Sequence, residues 1–201
     1  MLAKGDKYAF GQMLDPFAKF VGIDPSTMAR LPPEQLFEKQ RLVFAAGMRF
    51  ARQFPDDRFR EQVIPNRPRL IGTLCYHIFR IGEAFLETWD GAEYSTGIAD
   101  GEPPDSMKTG DDTARYGESV WKRYETWWAG LSAEERTLSR VLRTYYGDTV
   151  AHRVYERVVW HSAQHCRQLV DVLQQRMGVQ PDRPLTAEDL AGLPLPERLF
   201  E

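Results

Sequence analysis

Residues 150–176 read Val150-Ala-His-Arg-Val-Tyr-Glu-Arg-Val-Val-Trp-His-Ser-Ala-Gln-His-Cys-Arg-Gln-Leu-Val-Asp-Val-Leu-Gln-Gln-Arg176, a stretch with no proline and no glycine. Nothing in it breaks a helix. Val150, Val154, Val158, Leu169, Val172 and Leu173 recur at the three- and four-residue steps of a helix buried on one face. Continued from Val158, that stripe runs through His161, His165 and Gln168, where apolar side chains are expected. Four residues make about 1.1 turns, so both imidazoles leave the helix on one face, one turn apart. That spacing lets two side chains share one metal ion.

Working outward, Thr149 or Asp148 is the expected N-cap of this helix and Met177-Gly178 its stop. Three earlier segments carry the same period. Pro33 opens a first long helix with a stripe of Leu36, Gln40, Val43, Phe44, Gly47, Phe50, Ala51 and Phe54. A second helix is predicted from about Pro68 to Trp89, buried through Leu70, Leu74, His77, Ile78, Ile81, Phe85 and Trp89. A third is predicted from about Asp112 to Ala129, with Tyr116, Val120, Tyr124, Trp127 and Trp128 inward, followed by a capped turn at 131–135. Residues 58–68 read as a connector. Residues 90–111, rich in glycine, proline and aspartate, read as either a lid or a mobile loop. Residues 137–149 read as a β-prone approach to the last helix. The N-terminal arm, 1–33, is expected to add one or two helical turns around 10–21, and the C-terminal arm, 178–201, one around 186–190. The fold class this predicts is all-α, an up-down four-helix bundle with core 34–177 in a single domain.

Composition bounds the function. The chain has 201 residues, 42% hydrophobic and 27% charged, with a formal net charge of −3, so the basic face of a general nucleic-acid binder is not expected. No run of about eighteen apolar residues predicts a membrane span. Charges scattered through the first 21 residues leave no signal-peptide core, and a cytoplasmic location is expected. Two cysteines, Cys75 and Cys166, are too few for a disulfide framework and read as buried thiols. The aromatic content of 12% leaves room for a homodimer interface.

The chain has four histidines, of which His77, His161 and His165 fall on buried helix faces. One such residue is ordinarily a core histidine with a satisfied ring. Three on two helices of one bundle are costly to bury without partners, by several kcal/mol together. A shared divalent ion removes that cost, and three neutral imidazoles suit Zn²⁺, Ni²⁺ or Fe²⁺ with a coordination position left open. His152, nine residues before His161, points away and is expected to be exposed or capping. No acid completes an HExxH pattern, so the base is expected to be a water activated by the ion. Gln168 is placed either to orient a ligand or at the bundle rim. Tyr76, Tyr145 and Tyr146 are candidate rim donors that the sequence does not place.

The segment Glu156 to Leu169, with Trp160-His161-Ser162-Ala163-Gln164-His165 at its centre, resembles the last-helix signature of the DinB/YfiT-like superfamily. Leu74-Cys75-Tyr76-His77 resembles its second-helix ligand motif, less specifically. The resemblance covers residues 34–177 and leaves out both arms. It implies a four-helix bundle, often dimeric, with a divalent metal on His77, His161 and His165. Family members include bacillithiol and other thiol S-transferases and a mycothiol-dependent maleylpyruvate isomerase, and many are described only as metal-dependent hydrolases. The resemblance therefore implies activation of a low-molecular-weight thiol co-substrate or of water, toward a small-molecule substrate. The family name, taken from DNA-damage induction of one member, implies no nucleic-acid binding. The alternative from another class is a non-catalytic, stress-related bundle that binds a metal or small ligand.

Overall fold

The protein is described by a computed structural model covering residues 2–4, 7–9, 30–64 and 67–200. The backbone divides into two units, Met1–Leu31 and Pro32–Glu201. In the first, β1 (Leu2–Lys4) pairs antiparallel with β2 (Lys7–Ala9). The helical turns expected around 10–21 lie outside the described residues.

The second unit is mostly helical. Its long helices are α1 (Pro33–Gln53), α2 (Ile71–Trp89), α4 (Gly110–Gly130) and α5 (Ala151–Met177). Each of α1 and α2 packs along both α4 and α5. The apolar stripes are the reason. All eight stripe residues predicted for α1 are buried, as are Leu74, Ile78, Ile81, Phe85 and Trp89 of α2 and Val154, Val158, Leu169, Val172 and Leu173 of α5. Phe85, Tyr124 and Tyr155 stack in the core, at centroid separations of 4.9 Å for Phe85–Tyr155 and 5.9 Å for Tyr124–Tyr155. Short helices α3 (Thr96–Ala99) and α6 (Ala187–Leu190) lie in the 90–111 loop and the C-terminal arm. Among the described residues, no helix is long and apolar enough to cross a membrane.

Helix α1 starts at Pro33 as predicted, whereas the other three starts depart from the sequence reading, each for a local reason. A capping box between Thr109 and Asp112 starts α4 at Gly110, two residues earlier than predicted. Helix α2 starts at Ile71, not at Pro68, because Arg67–Leu70 forms a strand, β4, paired with β3 (Gln62–Ile64). The first free N–H groups of α2 are taken by backbone: Ile71 donates to Glu61 O at 2.8 Å and Gly72 to Phe59 O at 2.9 Å. The α5 start follows the same scheme. β5 (Val141–Leu142) pairs with β6 (Thr149–Val150), and Ala151 and His152 donate to Arg140 O and Leu138 O. Neither Thr149 nor Asp148 caps the helix; Val150 is its N-cap residue, without a side-chain cap. Val150 also drops out of the buried stripe, at 40% exposure. The C-terminal stop at Gly178 is as predicted, with Gly178 left-handed at φ 65°.

Gln40 sits wholly inside this core with neither its Nε2 nor its Oε1 hydrogen-bonded among the described residues. A buried unpaired amide is costly, so Gln40→Leu is expected to stabilise the protein by about 1–2 kcal/mol. Urea unfolding checks this, and a lower midpoint for the variant would show that the amide is satisfied.

Candidate metal centre

The three predicted histidines meet between α2 and α5. Their candidate ligand nitrogens all lie within 4.8 Å of one another. Ring centroids stand 5.4 Å apart for His77–His161, 5.1 Å for His77–His165 and 4.6 Å for His161–His165. His77 and His165 are buried at 3% and 5% exposure, whereas His161 is half-buried. His161 is thus the most exposed residue of the three.

The register that brings these rings together is held by a contact one residue away from each. Ser162 Oγ donates to the carbonyl of Ile78 at 2.9 Å, joining α5 beside His161 to α2 beside His77. Both ends are buried, where such a bond is worth about 1 kcal/mol.

Gln168 is half-buried and meets a predicted ligand. Its Nε2 donates to Leu199 O at 2.8 Å, which turns Oε1 toward His165 Nδ1, also at 2.8 Å. Nδ1 must then carry the proton, and the lone pair of His165 falls on Nε2. That Nε2 is buried and has no hydrogen-bond partner among the described residues. A buried imidazole lone pair, fixed in tautomer and facing two further imidazoles, fits a divalent ion of the Zn²⁺, Ni²⁺ or Fe²⁺ class.

The C-terminal arm enters the site through the same face of α5. Besides Gln168, Gln164 Nε2 donates to Arg198 O and Leu199 O at 3.1 and 2.8 Å, and Arg167 Nη1 to Pro196 O at 2.8 Å. Sequence patterning marks this arm only for a helical turn around 186–190, not for contacts with the site.

Burial favours the neutral form of His161 and His165. Burial pushes His161 well below its ordinary value, helped by His165, His77, Arg157 and Arg69. Burial brings His165 down to about 4, opposed by Gln168 and reinforced by Arg69. The sign for stability follows. Between pH 6.5 and 4 the unfolded chain binds more protons than the folded one, so metal-free protein is expected to lose stability as pH falls through that window. For His165 alone the loss approaches about 3 kcal/mol. Urea unfolding at several pH values checks it, and His165→Leu should flatten the profile; superimposable profiles would refute it.

Other groups expected near the chemistry are distributed unevenly. His152 is half-buried at the start of α5 and lies outside the cluster. Tyr76 stacks on Tyr116 at 5.0 Å. Tyr145 and Tyr146 meet Arg157, as does Tyr94. Asp100, in the 90–111 loop, has Oδ1 4.0 Å from His77 Nε2, and Glu102 accepts from Thr73 Oγ1 at 3.0 Å, one turn before His77. Nothing in the loop's sequence marks Asp100. Sequence reasoning did not single out Arg157, and its aromatic partners arrive from loops. Burial pushes the Cys75 thiol upward and the Cys166 thiol up to about 12, so neither is a ready nucleophile.

Comparison of the chain with known protein families, with curated proteins and with solved structures gave no match.

Proposed function

We propose that this chain is a divalent-metal-dependent enzyme of the DinB/YfiT-like superfamily, a thiol S-transferase or hydrolase built on an up-down four-helix bundle. The observation that carries the reading is the convergence of His77, His161 and His165, with His165 Nε2 buried and without a hydrogen-bond partner among the described residues. The packing of α1 and α2 on both α4 and α5 supports the bundle. His77, His161 and His165 hold the ion. Gln168 fixes the His165 tautomer, and the half-buried His161 edge admits a small-molecule substrate. The bound ion supplies Lewis acidity that lowers the pKa of a thiol or water brought to it. The chain's own thiols are buried and held protonated, so a transferase must take its thiol from a low-molecular-weight co-substrate. Asp100 stands beside His77, its Oδ1 4.0 Å from His77 Nε2, placed to accept a proton near the site.

The test starts with protein purified without added metal. Elemental analysis should find about one divalent ion per chain in wild type and far less in His161→Ala. Thiol conjugation to a generic electrophile, and hydrolysis of generic esters, should then be lost on chelation and restored by the ion. Wild type that carries no ion and binds none on addition overturns the metal reading. Stoichiometric ion without chelator-sensitive turnover assigns the site to binding alone.

A further inference from the structure

The C-terminal arm is tied to the bundle along two lines. Near its start it is held by α1: Arg49 Nη2 donates to Arg183 O at 2.8 Å, and Gln53 Nε2 to Gln180 O at 2.9 Å. Near its end it is held by α5, where Arg167 Nη1 donates to Pro196 O and Gln168 Nε2 to Leu199 O, both at 2.8 Å. Between these lines α1, α5 and the arm enclose a solvent-open cavity of about 260 Å³. Phe50, Val170, Pro184, Leu185 and Leu199 give it apolar walls. The bonds on either side hold those walls in place, so the cavity is built into the fold.

Two side chains of opposite charge, Arg167 and Asp171, share its α5 wall. They stand four residues apart on one helix face, within reach of an ion pair. Among the described residues none forms. Arg167 Nη1 is instead taken by two neutral acceptors, Gln164 Oε1 at 2.7 Å and Pro196 O at 2.8 Å. These bonds fix the guanidinium without compensating its charge. Its Nε and Nη2 make no hydrogen bond among the described residues, and neither does the half-buried carboxylate of Asp171. A lone anion placed here pairs with Arg167 but meets Asp171, and a lone cation does the reverse. A ligand that carries both signs compensates both.

We propose that this cavity is a second binding site, separate from the histidine cluster, for a small zwitterion with an apolar side chain, that is, an apolar α-amino acid. Its carboxylate takes the remaining N–H donors of Arg167 and its ammonium pairs with Asp171. Its side chain lies against Phe50, Val170 and Leu185. The volume falls just under the roughly 300–1,000 Å³ of sites for drug-sized ligands, which fits a molecule of amino-acid size. The site needs no metal ion, so it stands independently of the histidine reading.

Isothermal titration calorimetry on the full-length protein at neutral pH tests this with L-leucine and L-phenylalanine. Isoamylamine and isocaproate carry the leucine side chain with one charge each and serve as controls. At least one amino acid should bind saturably, and each control at least tenfold more weakly than leucine. Asp171→Asn should weaken the amino acid at least tenfold yet leave isocaproate unchanged or tighter, a split that a merely structural role of Asp171 would not give. Asp171 is the residue to change because Arg167 also holds Pro196. Val170→Trp, which fills the cavity, should abolish binding, with circular dichroism showing that each variant is folded. Absence of saturable binding by both amino acids overturns the proposal. So does a control that binds as tightly as leucine, which would show that one charge suffices, or equal amino-acid affinity in wild type and Asp171→Asn.

Discussion

His165→Ala is expected to lower the affinity of the site for zinc by more than about 100-fold, and Gln168→Leu, which touches no ion, by about 10–100-fold. The two effects share one hydrogen-bonded path. Leu199 O accepts from Gln168 Nε2, which leaves Gln168 Oε1 to accept from His165 Nδ1. Removing His165 deletes a ligand. Removing the Gln168 amide leaves the ligand but frees the ring to rotate and to take the other tautomer, whose lone pair points away. Because Leu199 belongs to the C-terminal arm, deleting residues 196–201 is expected to mimic Gln168→Leu. Competition with a chromogenic chelator measures all three affinities, and circular dichroism checks that each variant is folded. Wild-type affinity in Gln168→Leu would mean that packing alone orients His165.

The parts of this arrangement that were legible in the sequence are those with a period. The four long helices were visible because stripes such as Leu36 to Phe54 repeat over five turns, and the histidine pair because two polar rings interrupt one such stripe. His77 was visible for the same reason. What holds these residues in place has no period. Strands β3 to β6 are two to four residues long, too short for alternation to register, yet their pairing places the backbone carbonyls that receive the first N–H groups of α2 and α5. Ser162 looks like any small residue on a helix, and only its distance from Ile78 O reveals the fastening. Asp100 lies in a loop with no pattern, and the cage around Arg157 draws on residues 94, 145 and 146, which sequence distance separates. Metal ligands on a helix face are readable locally, whereas charges and carbonyls that arrive from loops depend on tertiary placement.

Gly110→Ala is expected to be the most destabilising small substitution outside the site, costing about 3 kcal/mol or more. Gly110 opens α4 against the last turn of α1. A Cβ there would stand 1.8 Å from the carbonyl oxygen of Ala51 and 2.6 Å from its carbonyl carbon. The obstacle is backbone, so no side-chain rotation relieves it; the two helix ends must part by more than about 1 Å. That separation also pulls on Arg52, whose Nε donates to Asp111 at 3.1 Å and Nη2 to Glu118 at 2.6 Å. It disturbs as well the capping box that starts α4. For a chain of this size a loss of about 3 kcal/mol lowers the melting temperature by roughly 6–12 °C. Gly130, at the other end of the same helix, has open space around the position a Cβ would take, with nothing within 4 Å, and no positive φ. Gly130→Ala is therefore expected to be neutral or to stabilise by up to about 1 kcal/mol, because alanine loses less backbone entropy on entering a helix. Thermal melts of the pair separate a steric cause from a general intolerance of alanine in α4. A Gly110→Ala melting temperature within about 2 °C of wild type would mean that the α1–α4 junction yields.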